Sequence, residues 1–262
     1  MNEMSAQTRK RNWGRLVIWL AGAAVVSGTV WSLVVARRQS VSRRESVSAL
    51  AAPGPIGWWP GDGDGNDIGS VNNGIVPDSV KFAQGLVGEA FSFEVMDPCR
   101  YQNDFGYVRI PAFGRKLPTS EITVEFWQKV DSKRSQYTLL AGSTENILSV
   151  SAPWHDSKIH FEFGNNSAGS LSYLPPVSIV GTWQHLACVA SQTGNFMRIY
   201  RNGTLEAQKL GMVPFANINC DLLLGRCIEG LLDEVKVYNR ALSANEILAT
   251  YNASRGKAGE VK

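Results

Sequence analysis

The sequence predicts an all-β sandwich over residues 56–253, and three observations point there. Short runs of β-branched and aromatic residues recur between clusters of Gly, Asn, Pro and Ser, and only the last segment carries a helical period. Arg201-Asn202-Gly203-Thr204 sets an Asn-Gly pair, which accepts two positive φ values, at the tip of a two-residue hairpin. The expected strands are 57–59, 80–83, 88–94, 107–110, 122–130, 137–141, 147–151, 158–163, 171–174, 185–191, 196–201, 205–208, 222–225 and 230–238. One short helix closes the domain: Ser243, Ala244, Asn245 and Glu246 form a capping box, and Ile247, Leu248 and Tyr251 follow at helical spacing. A sandwich of about 200 residues buries roughly 70% of its unfolded surface, so no second core is required.

Composition narrows the function classes. Of 262 residues 44% are hydrophobic and 19% charged, which excludes a disordered or collagen-like chain. The formal net charge of +3 is misleading as an average. Arg9, Lys10, Arg11, Arg15, Arg37, Arg38, Arg43 and Arg44 precede the domain against only Glu3 and Glu45, so the folded part is net acidic. A nucleic-acid partner, which needs a basic folded face, loses its support. Four cysteines are too few for a disulfide framework and lack the CxxC spacing of a zinc site.

Residues 1–15 form a basic tail, and residues 16–36, LVIWLAGAAVVSGTVWSLVVA, carry no charge. As a helix these 21 residues extend about 31 Å, enough to cross a bilayer core, so they are expected to be a transmembrane signal anchor. A cleaved signal peptide is the alternative, but it wants a shorter apolar run followed closely by a small-x-small site. Residues 37–55, basic and then Ser and Ala rich, suit a flexible stalk, and 254–262 a short C-terminal tail. Basic residues balance across the span, so charge alone does not orient it.

GWWPGDGDGND, NNG, GLVGEAFSF, YVRIP, ITVEFW, GTWQHLACV, MRIYRNG, LLLGR and GLLDEVKVYNRALSANEI follow one another in the order and spacing of a known family. The chain resembles the concanavalin A-like, laminin G-type domains of bacterial surface proteins over nearly all of residues 57–253. That resemblance implies a jelly-roll sandwich of two antiparallel sheets, placed outside the cytoplasm as a binding or adhesion module. It resolves the topology: N-terminus cytoplasmic, C-terminal domain periplasmic or at the cell surface. It also implies a structural Ca2+ site in which Asp67, Asn72, Asn73 and Asp233 stand where relatives place ligands. Two departures put an inherited ligand in doubt: the loop 94–106 is long and holds Cys99, and the loop after Arg226 shrinks to Cys227, Ile228 and Glu229. If both lie at the ligand rim, Cys99 and Cys227 are expected to form a disulfide.

Catalytic chemistry finds little footing. GDGDGND fails as an EF-hand, because Asp67 stands where the loop needs Gly and Asn73 where it needs Glu. Glu121 and Glu125 share a strand face as the carboxylates of a glycoside hydrolase would, but Thr123 lies between them where laminarinase-type enzymes carry an Asp. G-x-S-x-G, H-E-x-x-H and Walker sequences are absent, and His155, His160 and His185 lack ligand spacing. His185 is expected to be hydrogen-bonded scaffold and Cys188 a buried thiol. Trp154 differs from the strand tryptophans, since Pro153, His155, Asp156 and Ser157 mark a turn around it. With Tyr101, Gln102 and Asn103 it is a candidate for ligand stacking and hydrogen bonding, although loop packing would also account for it. The sequence therefore predicts a membrane-anchored, non-catalytic module for a carbohydrate or an extracellular protein. An envelope scaffold without a glycan ligand is the alternative, and a glycoside hydrolase the weaker one.

Overall fold

A computed structural model describes residues 53–94, 106–143, 146–164, 169–211, 216 and 219–257. The expected membrane span, the basic tail and residues 37–52 of the stalk lie outside the described residues, as do Cys99, Tyr101, Gln102 and Asn103. Among the described residues no helix is long and apolar enough to cross a membrane. The described residues from 54 onward form one compact unit.

Fourteen strands build two antiparallel sheets. The larger contains β1 (Gly57–Trp59), β2 (Val80–Gln84), β3 (Glu89–Phe93), β5 (Glu121–Val130), β10 (Gln184–Ser191), β11 (Phe196–Arg201), β12 (Thr204–Leu210) and β14 (Gly230–Tyr238). Its order is β12-β11-β10-β5-β14-β3-β2, with β1 also paired to β14. The smaller sheet runs β4-β13-β6-β7-β8-β9, built from β4 (Val108–Ile110), β6 (Tyr137–Ser143), β7 (Asn146–Ser151), β8 (Ile159–Gly164), β9 (Ser170–Tyr173) and β13 (Leu222–Arg226). Every expected strand is present, with ends shifted by at most two residues.

The core follows from period-two alternation. Along β5, Ile122, Val124 and Phe126 point between the sheets, where they meet Leu186 and Cys188 of β10 and Phe161 of β8 in one buried cluster. Thr123, Glu125 and Trp127 take the opposite face. That outer face is covered by the C-terminal helix, α1 (Ala244–Lys257). The capping box closes as expected: Ser243 N donates to Glu246 Oε2 at 2.8 Å, and Glu246 N to Ser243 Oγ at 3.3 Å. Leu242 before the cap and Ile247 in the first turn are both buried in a second cluster with Ala187, Val189 and Tyr200, a hydrophobic staple that seats the helix on the sheet. At the hairpin tip Asn202 and Gly203 have φ of 51° and 79°, as a type I′ turn demands.

Candidate functional site

Trp154 stands on a turn that is rooted deep in the fold. Between β7 and β8, Trp154 N donates to Lys158 O and Ser157 N to Trp154 O, both at 2.8 Å, which closes a tight turn. Behind it two buried glutamines hold the backbone: Gln128 Nε2 donates to Ala152 O, and Gln136 Nε2 to Pro153 O at 2.9 Å. Thr138 Oγ1 fixes the first amide by donating to Gln128 Oε1 at 2.8 Å. The half-buried Trp154 ring lies 5.2 Å from Tyr137, 5.4 Å from His155 and 6.4 Å from His160, measured between ring centroids.

Polar groups surround that ring. His160 Nε2 sits 3.1 Å from both Asp156 carboxylate oxygens, His155 Nδ1 is 3.2 Å from Ser135 Oγ, and Lys133 Nζ donates to Ser157 Oγ at 3.0 Å. Slight desolvation works to raise the Asp156 pKa, but the Lys158 N–H and the His160 ring outweigh it and hold the carboxyl below its ordinary value. An aromatic ring with two imidazoles beside it, a carboxylate held on one of them and an ammonium bonded to Ser157 of the same turn, can stack on an apolar ring face while nearby polar groups bond its hydroxyls. The neighbouring rim holds Arg226, paired with Tyr137, and Glu229, which accepts from Ser132 Oγ at 2.7 Å. Cys227 follows there. Cys188 and Cys220 are free thiols, and burial raises both pKa values.

The four residues expected to hold calcium form two separate knots. Asp67 Oδ1 accepts from Trp58 N at 2.9 Å and Gly69 N at 3.2 Å, while Oδ2 accepts from Asn72 N at 3.1 Å and Asn72 Nδ2 at 2.9 Å. Asn73 Oδ1 accepts from Asp67 N, and Asn72 Oδ1 accepts from the Lys116 ammonium. The oxygens a dication would need are already taken, and a cation sits among them, so this half of the set fits Ca2+ poorly. Asp233 stands elsewhere: its Oδ2 accepts from Leu86 N and Val87 N at 2.8 and 3.0 Å, and its buried Oδ1 has no hydrogen-bond partner. Burial raises the Asp233 pKa to about 7, with the Glu234 and Asp62 charges adding to it and the two amides opposing.

The paired glutamates do not make an open acid and base. Glu121 Oε1 accepts from Ser191 Oγ at 2.8 Å. Glu125, only 1% exposed, lies beneath α1, where Oε1 accepts from Tyr238 OH at 2.9 Å and Oε2 from Thr250 Oγ1 at 3.0 Å. Lys236 Nζ is 3.9 Å and His185 Nε2 3.8 Å from the same carboxylate. Burial raises the Glu125 pKa despite Lys236, and burial with the Lys236 charge lowers His185 to about 3. His185 is buried, and its Nδ1 has no partner, unlike the hydrogen-bonded histidine expected.

Sequence reasoning also missed a cleft of about 510 Å³ beside β1, lined in part by Ile56, Trp58, Ile68, Val71 and Lys116. Its sequence signal was two aliphatic residues in an otherwise polar turn, Ile68 and Val71.

Comparison with known proteins bears on the fold. A search of curated proteins finds no match. Domain 4 of AbnA, a GH43 extracellular arabinanase from Geobacillus stearothermophilus solved with arabinotriose, superposes with a TM-score of 0.60 at 17% identity, covering 75% of this chain and 97% of that one. The binding domain of Paraclostridial Mosquitocidal Protein 1 gives 0.59 at 16% identity, covering 76% of this chain and 52% of that one. The binding domain of botulinum neurotoxin DC, solved with rat synaptotagmin II, gives 0.59 at 12% identity, with coverages of 77% and 52%. The chain thus spans about half the length of the two toxin structures. At these identities the likeness is one of fold. Residues 102–248, more than half of the chain, match the pattern of one family, and the protein belongs to the concanavalin A-like lectin/glucanases superfamily.

Proposed function

We propose that this chain is a non-catalytic, extracytoplasmic binding module, held by a single membrane helix at residues 16–36, that takes a glycan or an extracellular protein at the rim around Trp154. The observation that carries the reading is the half-buried Trp154 ring on a rooted turn, flanked by Tyr137, His155 and His160, with the Asp156 carboxylate and the Lys133 ammonium within the same cluster. Ligand could displace solvent there without rebuilding the turn, because Gln128 and Gln136 already fix its backbone. Two proteins of this fold solved with partners, one with arabinotriose and one with synaptotagmin II, support both ligand classes. A non-catalytic role is supported by Glu125, which is enclosed under α1. A Cys99–Cys227 disulfide would fasten the long loop carrying Tyr101, Gln102 and Asn103 beside this rim.

The test is binding of the full chain in nanodiscs to glycan and extracellular-protein arrays, wild type against Trp154→Ala. The expected result is a hit whose affinity falls about tenfold or more in the variant, the loss typical of a buried aromatic anchor. A hit indifferent to Trp154 moves the site elsewhere, and silence on both arrays favours the envelope scaffold.

A further inference from the structure

The loop after Asp67 presents large aliphatic side chains to solvent from a rigid frame. Ile68, Val71 and Ile75 are 58%, 72% and 49% exposed. A mobile loop would fold such side chains inward, since each exposed aliphatic forgoes apolar burial. This one is fixed: Asp67 accepts four N–H donors, Ile68 N donates to Trp58 O at 2.9 Å, Asn72 Nδ2 to Ile56 O at 2.9 Å, and Ile75 N to Arg109 O at 2.8 Å. Ile68 and Val71 also border the apolar cleft beside β1, with Lys116 at its edge donating to Asn72 Oδ1. Preorganisation of this kind removes the ordering cost of docking on a flat apolar partner.

The position of this loop in the chain identifies the partner. Its first half is bonded to residues 56–58, at the start of the first strand, so this part of the loop sits where the domain is joined to the preceding sequence. Only residues 37–52 separate the uncharged run 16–36 from Pro53. Sixteen residues reach at most about 55 Å when fully extended and about 22 Å as a flexible coil. Arg37, Arg38, Arg43 and Arg44 lie on that connector, and with Lys116 they complement anionic headgroups. Asp67, next to Ile68 in the chain, is buried with its oxygens occupied by N–H groups.

We infer that the 68–75 loop docks on the surface of an anionic bilayer, inserting Ile68 and Val71 at the headgroup boundary with Lys116 among the phosphates. This rests on the membrane anchoring proposed above. It makes the joined end of the domain a membrane foot and leaves the ligand rim to its own partner.

The experiment reconstitutes the full chain in phosphatidylcholine vesicles containing phosphatidylglycerol. An environment-sensitive fluorescent amino acid is placed at position 71, or in a second protein at position 210, where Leu210 is 75% exposed on strand β12. The expected result is a blue-shifted probe at 71, quenched several-fold more by headgroup-nitroxide lipid than the probe at 210, in protein that resists alkaline carbonate. Equal, water-like emission at both positions in carbonate-resistant protein overturns the docking and leaves the anchor standing. A blue shift at 71 without nitroxide quenching means that protein covers the loop, which also overturns it. Extraction by carbonate removes the anchor, and the inference with it.

Discussion

The molecule contains two constellations built from the same residue types, a carboxylate, a histidine and aromatic rings, and they do opposite things. Under α1, Glu125 is enclosed with His185, Tyr238 and Thr250, while at the β7–β8 turn Asp156 pairs with His160 beside Trp154 at the surface. Burial suppresses ionisation in the first: the Glu125 pKa is raised and that of His185 lowered to about 3. In the second, solvent and a backbone N–H keep Asp156 ionised. Residue chemistry does not distinguish the two constellations; access to solvent does. The sequence already made a hydrolase built on Glu121 and Glu125 the weaker reading, because Thr123 stands where an Asp is expected, and the helix laid over Glu125 closes off one of the two carboxylates.

The comparison breaks most sharply by removing each carboxylate. Glu125→Ala leaves the Tyr238 hydroxyl, the Thr250 hydroxyl and the Lys236 charge around a buried hole, and about 3–5 kcal/mol of stability should be lost. Hydrogen exchange should rise first in residues 244–257, because Thr250 is the helix's polar link to the sheet. Asp156→Ala, at an exposed pair, should cost no more than about 1 kcal/mol. Denaturation followed by tryptophan fluorescence checks both, and equal losses would erase the distinction.

Disulfide formation at the rim is the next largest expected effect. Non-reducing peptide mapping of exported protein should recover Cys99 joined to Cys227, with Cys188 and Cys220 alkylated only after unfolding or slowly. Reduction should lower stability by about 2–4 kcal/mol. Free thiols at positions 99 and 227 would leave the long loop unfastened and weaken its part in the ligand site.

Two buried titrations oppose each other in pH. His185 has a folded pKa of about 3 against its ordinary 6.5, so its contribution is present above 6.5 and is lost as pH falls toward 3. Asp233 goes the other way, about 7 against 3.8, so its contribution is full below about 3.8 and is lost as pH rises to about 7. Between roughly pH 4 and 6.5 the slopes cancel in part, each at most about 1.4 kcal/mol per pH unit. His185→Gln should expose stability that falls with rising pH, and Asp233→Asn stability that rises. Melting curves across that range decide it, and parallel profiles in the two variants would refute the opposition.

What could be read from the sequence was whatever is local in the chain. The capping box of Ser243 and Glu246, the Asn202-Gly203 turn and the strand alternation of 122–130 each depend on neighbours within a few residues, and each is found as expected. The Glu125 knot was illegible because its partners Tyr238 and Thr250 lie 113 and 125 residues away. A bulge in β14 was hidden for another reason. Glu234 takes a φ of 55° without being glycine, and the register of β14 on β5 shifts between Asp233 and Lys236. Alternation therefore misplaces the side chains of this segment, although its residues resemble an unbroken strand. The Trp154 turn was visible as turn chemistry, but not the glutamines that root it.

The smallest expected effect concerns calcium, and it separates the two carboxylates that the sequence had grouped into one site. Asp67 already accepts four N–H donors, and the Lys116 ammonium beside Asn72 would repel a dication. Binding there would require breaking bonds that fix the 68–75 loop, so calcium should gain almost nothing in stability. Adding calcium or a chelator should leave the melting temperature unchanged, while Asp67→Asn, which places an amide against N–H donors, should lower it by about 1–3 kcal/mol of stability. A calcium-dependent rise would overturn this expectation, and a second variant would locate the ion. If Asp233→Asn abolished the rise and Asp67→Asn did not, the ion would belong to the buried and unpartnered Asp233 Oδ1, where binding would also draw the Asp233 pKa down from about 7 and remove its pH slope.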